Sequence, residues 1–247
     1  AGSNDLFNKS LLDLSKNGIF AVPDKSEEYH KGKNVYMQTL RASVRGYALR
    51  PVPASGTFPR FGIGAEAGYS TRIMMDDLYS ASAYCYAYGY LPGITLTQGL
   101  KLTARYQHQF RAELRRENAI SVAPRGFENS SAEYIIRNLS YVHLNLTADY
   151  ALPLWFGDIS FLSPVAYIKN FEITPHFDYT MFSLGKGLTD GGLFSAGASI
   201  VAKLANLLWI PYDCSIGITA SYNGGPSFNV IKNSGYPMDN HYIGFVF

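Results

Sequence analysis

Glu172, His176 and Asp178 occupy even-numbered positions of one segment, and two carboxylates flanking an imidazole are material for acid–base chemistry. Their spacing argues against it. Same-face neighbours on an extended strand lie roughly 6.5–7 Å apart, so these groups line a surface instead of converging on one atom. The remaining histidines, at 30, 108, 143 and 241, lack metal-ligand spacing, and Cys85 and Cys214 form no Cys-x-x-Cys. There is no G-x-S-x-G, no P-loop, and no glycine fingerprint opening a helix. Gly62-Ile63-Gly64 sits within an alternating segment, where glycine relieves crowding or bends a strand. The reading is a non-enzyme that needs no metal and no cofactor.

The elements that carry these residues alternate with period two. From Leu100 to Arg115, Leu100, Leu102, Ala104, Tyr106, Phe110, Ala112 and Leu114 fall on one side, with His108 the one polar member; the other side carries five charges. Positions two apart share a face on a strand and scatter around a helix. The same alternation predicts strands over 36–48, 61–70, 79–91, 140–154, 165–182, 193–206, 212–222 and 241–247. Turn signals separate them, including Pro92-Gly93, Asp190-Gly191-Gly192 and Gly224-Gly225-Pro226. Two connections, 116–139 and 223–239, are long. Residues 1–34 read as a separate N-terminal segment or linker, and 35–247 as the strand domain.

Composition narrows the class. Of 247 residues, 47% are hydrophobic and only 16% charged, which excludes a disordered chain. A net charge of +2 leaves no electrostatic footprint for nucleic acid. The 19 tyrosines and 15 phenylalanines are many for a cytosolic enzyme. Aromatic-rich, charge-poor composition with mean hydropathy near zero (−0.04) is how a transmembrane β-barrel reads, because its apolar outside and polar inside average out. The apolar stretches 80–100 and 193–212 contain glycine, proline or lysine and do not read as spanning helices.

A soluble sandwich alternates as well, but its strands are usually about 5–6 residues long. A bilayer-crossing strand takes ~9–11, and several segments here reach that length. Short turns at one rim and long loops at the other also suit a membrane barrel. The fold expected is therefore all-β: a transmembrane antiparallel β-barrel, or the C-terminal part of a larger one, since nine strands is odd and single-chain bacterial barrels are even-numbered. The last residues, His241-Tyr-Ile-Gly-Phe-Val-Phe247, resemble the terminal assembly signal of bacterial outer-membrane proteins, with Ile243, Phe245 and Phe247 at alternate positions.

One loop carries a further resemblance. Arg125-Gly126-Phe127, inside the 116–139 connection, resembles the Arg-Gly-Phe/Tyr motif in a lumen-folded loop of the outer-membrane insertase and two-partner-secretion superfamily, the BamA-like and FhaC-like barrels. In that family five strands follow the loop, as five do here. The next strand carries an acid with proline four positions on, matched by Asp149 and Pro153; the strand after it has an F-x-D-x-G pattern, of which His176-Phe-Asp178-Tyr-Thr180 keeps the Asp. The segment Tyr88-Gly-Tyr-Leu-Pro-Gly-Ile94 is also similar to barrels appended to large periplasmic propeller proteins.

The resemblance implies that the loop folds into the lumen and that Arg125 meets Asp149 and Asp178, with Glu172 a further acid on the same polar side. It implies an outer-membrane protein of a Gram-negative bacterium that assists membrane-protein insertion or polypeptide translocation. Its surroundings would be outer-membrane lipid and lipopolysaccharide, and its partners unfolded polypeptide and accessory periplasmic or lipoprotein subunits. The alternative is a passive porin, or the membrane anchor of a larger periplasmic or surface complex.

Overall fold

The computed structural model describes residues 38–52, 57–73, 79–111, 120, 123–128, 130–161, 166–183, 191–207 and 214–246. They form one antiparallel sheet of nine strands in sequence order. The strands are β1 (Gln38–Leu49), β2 (Gly62–Ile73), β3 (Ser82–Pro92), β4 (Gly99–Gln109), β5 (Val142–Phe161), β6 (Ala166–Ser183), β7 (Gly191–Leu207), β8 (Cys214–Gly224) and β9 (His241–Val246). Two helices, α1 (Ser131–Leu139) and α2 (Phe228–Asn233), and a 3-10 turn at Arg125–Phe127 lie in the two long connections, which leave the same end of the sheet. β1 and β9 run in the same direction and are not paired with each other among the described residues. The 1–34 segment lies outside those residues, and none of the described helices is long and apolar enough to cross a membrane.

Strand boundaries depart from the alternation in two places. β4 stops at Gln109, although the pattern continues to Arg115. There the Gln109 N–H donates to Tyr141 O and the Phe110 N–H to Ala81 O, while the Arg111 N–H turns to the Ser80 hydroxyl. The first two bonds keep the register of both ladders, and the backbone leaves them at Arg111. β5 instead runs on through Pro153 to Phe161. Proline has no N–H to give a ladder, and register shifts at Pro153/Trp155 and Phe156/Ile159 absorb the irregularity.

From β2 onward the sheet hides its polar face and shows its apolar one, whereas β1 is exposed on both. Glu66 and Ser70 of β2, Thr103 and Gln107 of β4, His143 and Asn145 of β5, Glu172, His176 and Asp178 of β6, and Thr219 and Ser221 of β8 are all buried. Ile63, Tyr69, Leu102, Tyr106, Leu146, Phe177, Ile200, Ile218, Ile243 and Phe245, at the alternate positions, are exposed. Soluble sheets bury the opposite face. Ring contacts continue along the exposed face at the end of the long connections. Tyr69, Phe110, His108 and Tyr141 form one chain, with centroids 6.0, 5.4 and 4.9 Å apart. Phe177, Phe194, Tyr222 and His241 form another, at 6.2, 6.4 and 5.6 Å. His108, the one polar residue on that side of β4, is therefore held edge-on between two rings.

The apolar core is small and lies over the polar face. Phe127, Ala132, Ile135, Ile136, Phe228, Ile231, Tyr236 and Met238 from the long connections pack with Phe182 of β6 and Leu193 of β7. α1 supplies its share because Ala132, Ile135 and Ile136 sit at helical spacing, and Ser130 starts the helix by accepting the Glu133 N–H at 3.3 Å.

Candidate functional site

The 3-10 turn at Arg125–Phe127 gathers most of the polar-face chemistry, and each of its residues does a different job. The Arg125 guanidinium donates twice to Asp178, from Nε and Nη2 at 2.8 Å each, and from Nη2 to Asp149 at 2.5 Å; its backbone N–H also donates to Asp178 at 3.1 Å. The two-pronged contact uses the planar fork that only arginine offers. Burial of this guanidinium works against its charge, but the carboxylates of Asp178 and Asp149 outweigh that and raise its pKa above the ordinary arginine value.

Gly126 is required by proximity. A Cβ there would stand 1.9 Å from Asn223 Oδ1 and 2.5 Å from Ser195 Oγ, so any side chain would push the turn off β7 and β8. In its place Asn223 Nδ2 donates to Gly126 O at 2.6 Å. Phe127 is almost wholly buried in the apolar cluster, 6.2 Å ring to ring from Phe228. Glu128 accepts from the Tyr242 hydroxyl of β9 at 3.3 Å. Four consecutive residues thus reach five successive strands, β5 to β9. A flat sheet would spread those strands over about 19 Å, so this half of the sheet wraps around the turn with its polar face concave.

Glu172 takes no part in this. It lies six residues from Asp178 along β6, roughly 20 Å away, and pairs with Lys203 Nζ of β7 at 2.9 Å. The Thr57 hydroxyl, from the β1–β2 connection, bonds both Glu172 and Lys203. His176 Nε2 lies 3.0 Å from Ser221 Oγ. The acid–imidazole–acid row on β6 therefore serves three separate contacts. Ile243 and Phe245 stand exposed on the apolar face of β9, opposite Ala220 and Ile218 of β8; Phe247 lies outside the described residues. Cys85 and Cys214 are free.

Asn223, Ser195 and α1 were not singled out in the sequence. The Ser130-x-x-Glu133 spacing is a helix-start signal that marks α1. No local signal marks Asn223 or Ser195, whose roles depend on a turn roughly seventy residues or more away in the chain. The chain matches no family model, no curated protein and no solved structure.

Proposed function

We propose that this chain forms the wall of an outer-membrane β-barrel, and that the barrel assists insertion or translocation of polypeptides in a Gram-negative bacterium. The membrane part rests on the inverted faces. Exposing a continuous band of Ile, Leu, Phe and Tyr to water is unfavourable by ~25 cal/mol per Å², whereas lipid favours it. The ring chains at one end suit an interfacial girdle, in which aromatic side chains anchor at the headgroup level. Because β1 and β9 run in the same direction, they cannot meet antiparallel. A closed antiparallel barrel built on this sheet takes an odd number of further strands.

The function rests on one observation: the Arg-Gly-Phe turn clamped to the polar faces of β5–β9 by Arg125, Asp149 and Asp178. This is the arrangement that the insertase and secretion resemblance implies. Catalysis of bonds plays no part in the reading. Lipid and lipopolysaccharide surround the wall, unfolded polypeptide is the cargo, and accessory periplasmic or lipoprotein subunits deliver it.

The test uses the full-length protein in liposomes, presented with a urea-unfolded outer-membrane protein. Faster appearance of protease-resistant, folded cargo is expected, with little of that gain in Arg125→Lys, which keeps the charge and loses the fork. No acceleration, together with steady ohmic conductance in planar bilayers, would replace this reading with a passive porin. No acceleration and no conductance would favour an anchor.

A further inference from the structure

The polar face of β2–β4 carries an ordered surface that the clamp does not use. Tyr84, Tyr86, Tyr88 and Tyr90 follow one another on the polar side of β3. On one flank each faces a β2 residue directly across the ladder: Gly68, Glu66, Gly64 and Gly62. On the other flank stand Gln107, Arg105, Thr103 and Lys101 of β4. A Cβ at Gly64 would lie 2.3 Å from the Tyr88 ring, and one at Gly68 2.6 Å from the Tyr84 ring, so these rings lean across bare glycine backbone.

Tyr84 is buried, its hydroxyl donating to Glu66 at 2.7 Å and accepting from Arg41 at 2.9 Å. It forms the closed end of the row. Tyr86, Tyr88 and Tyr90 are half-buried, and Phe58 extends them, with successive centroids 5.4, 5.7 and 5.8 Å apart.

Cations outnumber acids along this row, although Asp149 of β5, held by Arg125, stands across the ladder from Lys101. Arg41, Arg45, Lys101 and Arg105 border it, with Glu66 the one acid among the described polar-face residues of β1–β4. Arg105 lies 5.5 Å from the Tyr86 ring and Lys101 6.0 Å from Phe58. Arg105 gives one bond to Asn145, leaving further N–H groups on its fork, and the Arg45 side chain is 66% exposed.

We infer that this row is a binding track for an extended anionic oligosaccharide. A sugar ring has an apolar C–H face that stacks on an aromatic ring and a hydroxyl rim that hydrogen-bonds to phenols and guanidinium groups; carboxylates or phosphates on it pair with cations. Successive rings of the track turn by 37° and 72°. The inference is independent of the polypeptide-handling reading.

The test uses the full chain in detergent micelles with a fluorescent galacturonic acid hexamer, measured by anisotropy, and with maltohexaose and a hexaglutamate peptide as competitors. The hexamer should bind, and maltohexaose should compete more weakly. Tyr86→Leu/Tyr88→Leu should weaken binding about tenfold or more, a loss of roughly 1.4 kcal/mol, while Tyr88→Phe should bind nearly as wild type. Arg105→Gln, away from the glycine contacts, should reduce the preference for the acidic sugar, and Lys101→Gln/Arg105→Gln should reduce it further. No binding by the wild-type chain, equal binding by the folded double variant, or stronger competition from hexaglutamate would overturn the track. Insertion activity in liposomes is unaffected by this result, so the two readings fail separately.

Discussion

The two halves of the sheet obey one alternation rule and satisfy their polar faces in opposite ways. Across β5–β9 the polar side is covered by protein: a turn, two helices and an apolar cluster bring partners to the buried carboxylates. Across β1–β4 it is covered largely by its own tyrosines leaning over glycines, and its cations stay near solvent. The same residue pair makes the contrast concrete. Arg125, 35% exposed, meets Asp178 at 1%, while Arg45, 66% exposed, meets Glu66 at 9%. Both carboxylates are taken from water, so the difference lies in the cation: a guanidinium held from several sides clamps, and one left in solvent contributes little.

Arg125→Ala should therefore have the largest effect. It strands two carboxylates and should cost about 3 kcal/mol, the low end for breaking a buried pair because the guanidinium itself is 35% exposed. Chemical denaturation, with limited proteolysis across 120–139, reads it. Unchanged stability and protection would place the hold of the turn in Phe127 alone.

The apolar face, by contrast, should not distinguish the halves. Ile63→Arg on β2 and Ile200→Arg on β7 should each cost about 2–4 kcal/mol when folding is measured into lipid vesicles, as arginine does near a bilayer midplane. If neither variant lost stability in lipid, the exposed face would not be a membrane face.

Gly126→Ala comes next, at about 1–3 kcal/mol, the usual cost of forcing an extra methyl into a packed site. Asn223→Ala in the same chain should recover part of that loss by vacating the contact. Absence of any recovery in the double variant would point to backbone conformation rather than the contact with Asn223.

The smallest effect belongs to the open half. Arg45→Gln should change stability far less than Arg125→Ala does, because the Arg45 side chain is solvated, and raising the salt concentration should shrink the difference further. A loss as large as that from Arg125→Ala would erase the contrast between the halves.

How far the sequence foretold this is clearest from individual residues. Alternation alone located nine strands and sorted Leu102 from Thr103 and Phe177 from Asp178, because a period of two leaves no freedom in which side a residue takes. The meeting of Arg125 with Asp149 and Asp178 was legible through a motif whose acids lie on neighbouring strands. The partner of Glu172 was not, since Lys203 and Thr57 reach it only through strand pairing and a connection far away in sequence. Nor was the end of β4, where the Arg111 N–H turns to the Ser80 hydroxyl although the alternation of the sequence runs on. Glycine opposite tyrosine across β2 and β3 likewise depends on register, which composition does not encode.

The strictly sequential order of the strands also bears on the path by which the molecule assembles. Each hairpin closes on the one before it, so the sheet itself can zip up from neighbouring pairings, which keeps its contacts more local than crossed strands would. The Arg125 turn is different, because its contacts run to β5, β6, β7, β8 and β9, and the last of these must exist before Tyr242 can reach Glu128. Its closure is expected to be a late step, on the native side of the folding barrier. Loosening it should leave the folding rate almost untouched and speed unfolding instead, making the clamp chiefly a determinant of how long the native state lasts.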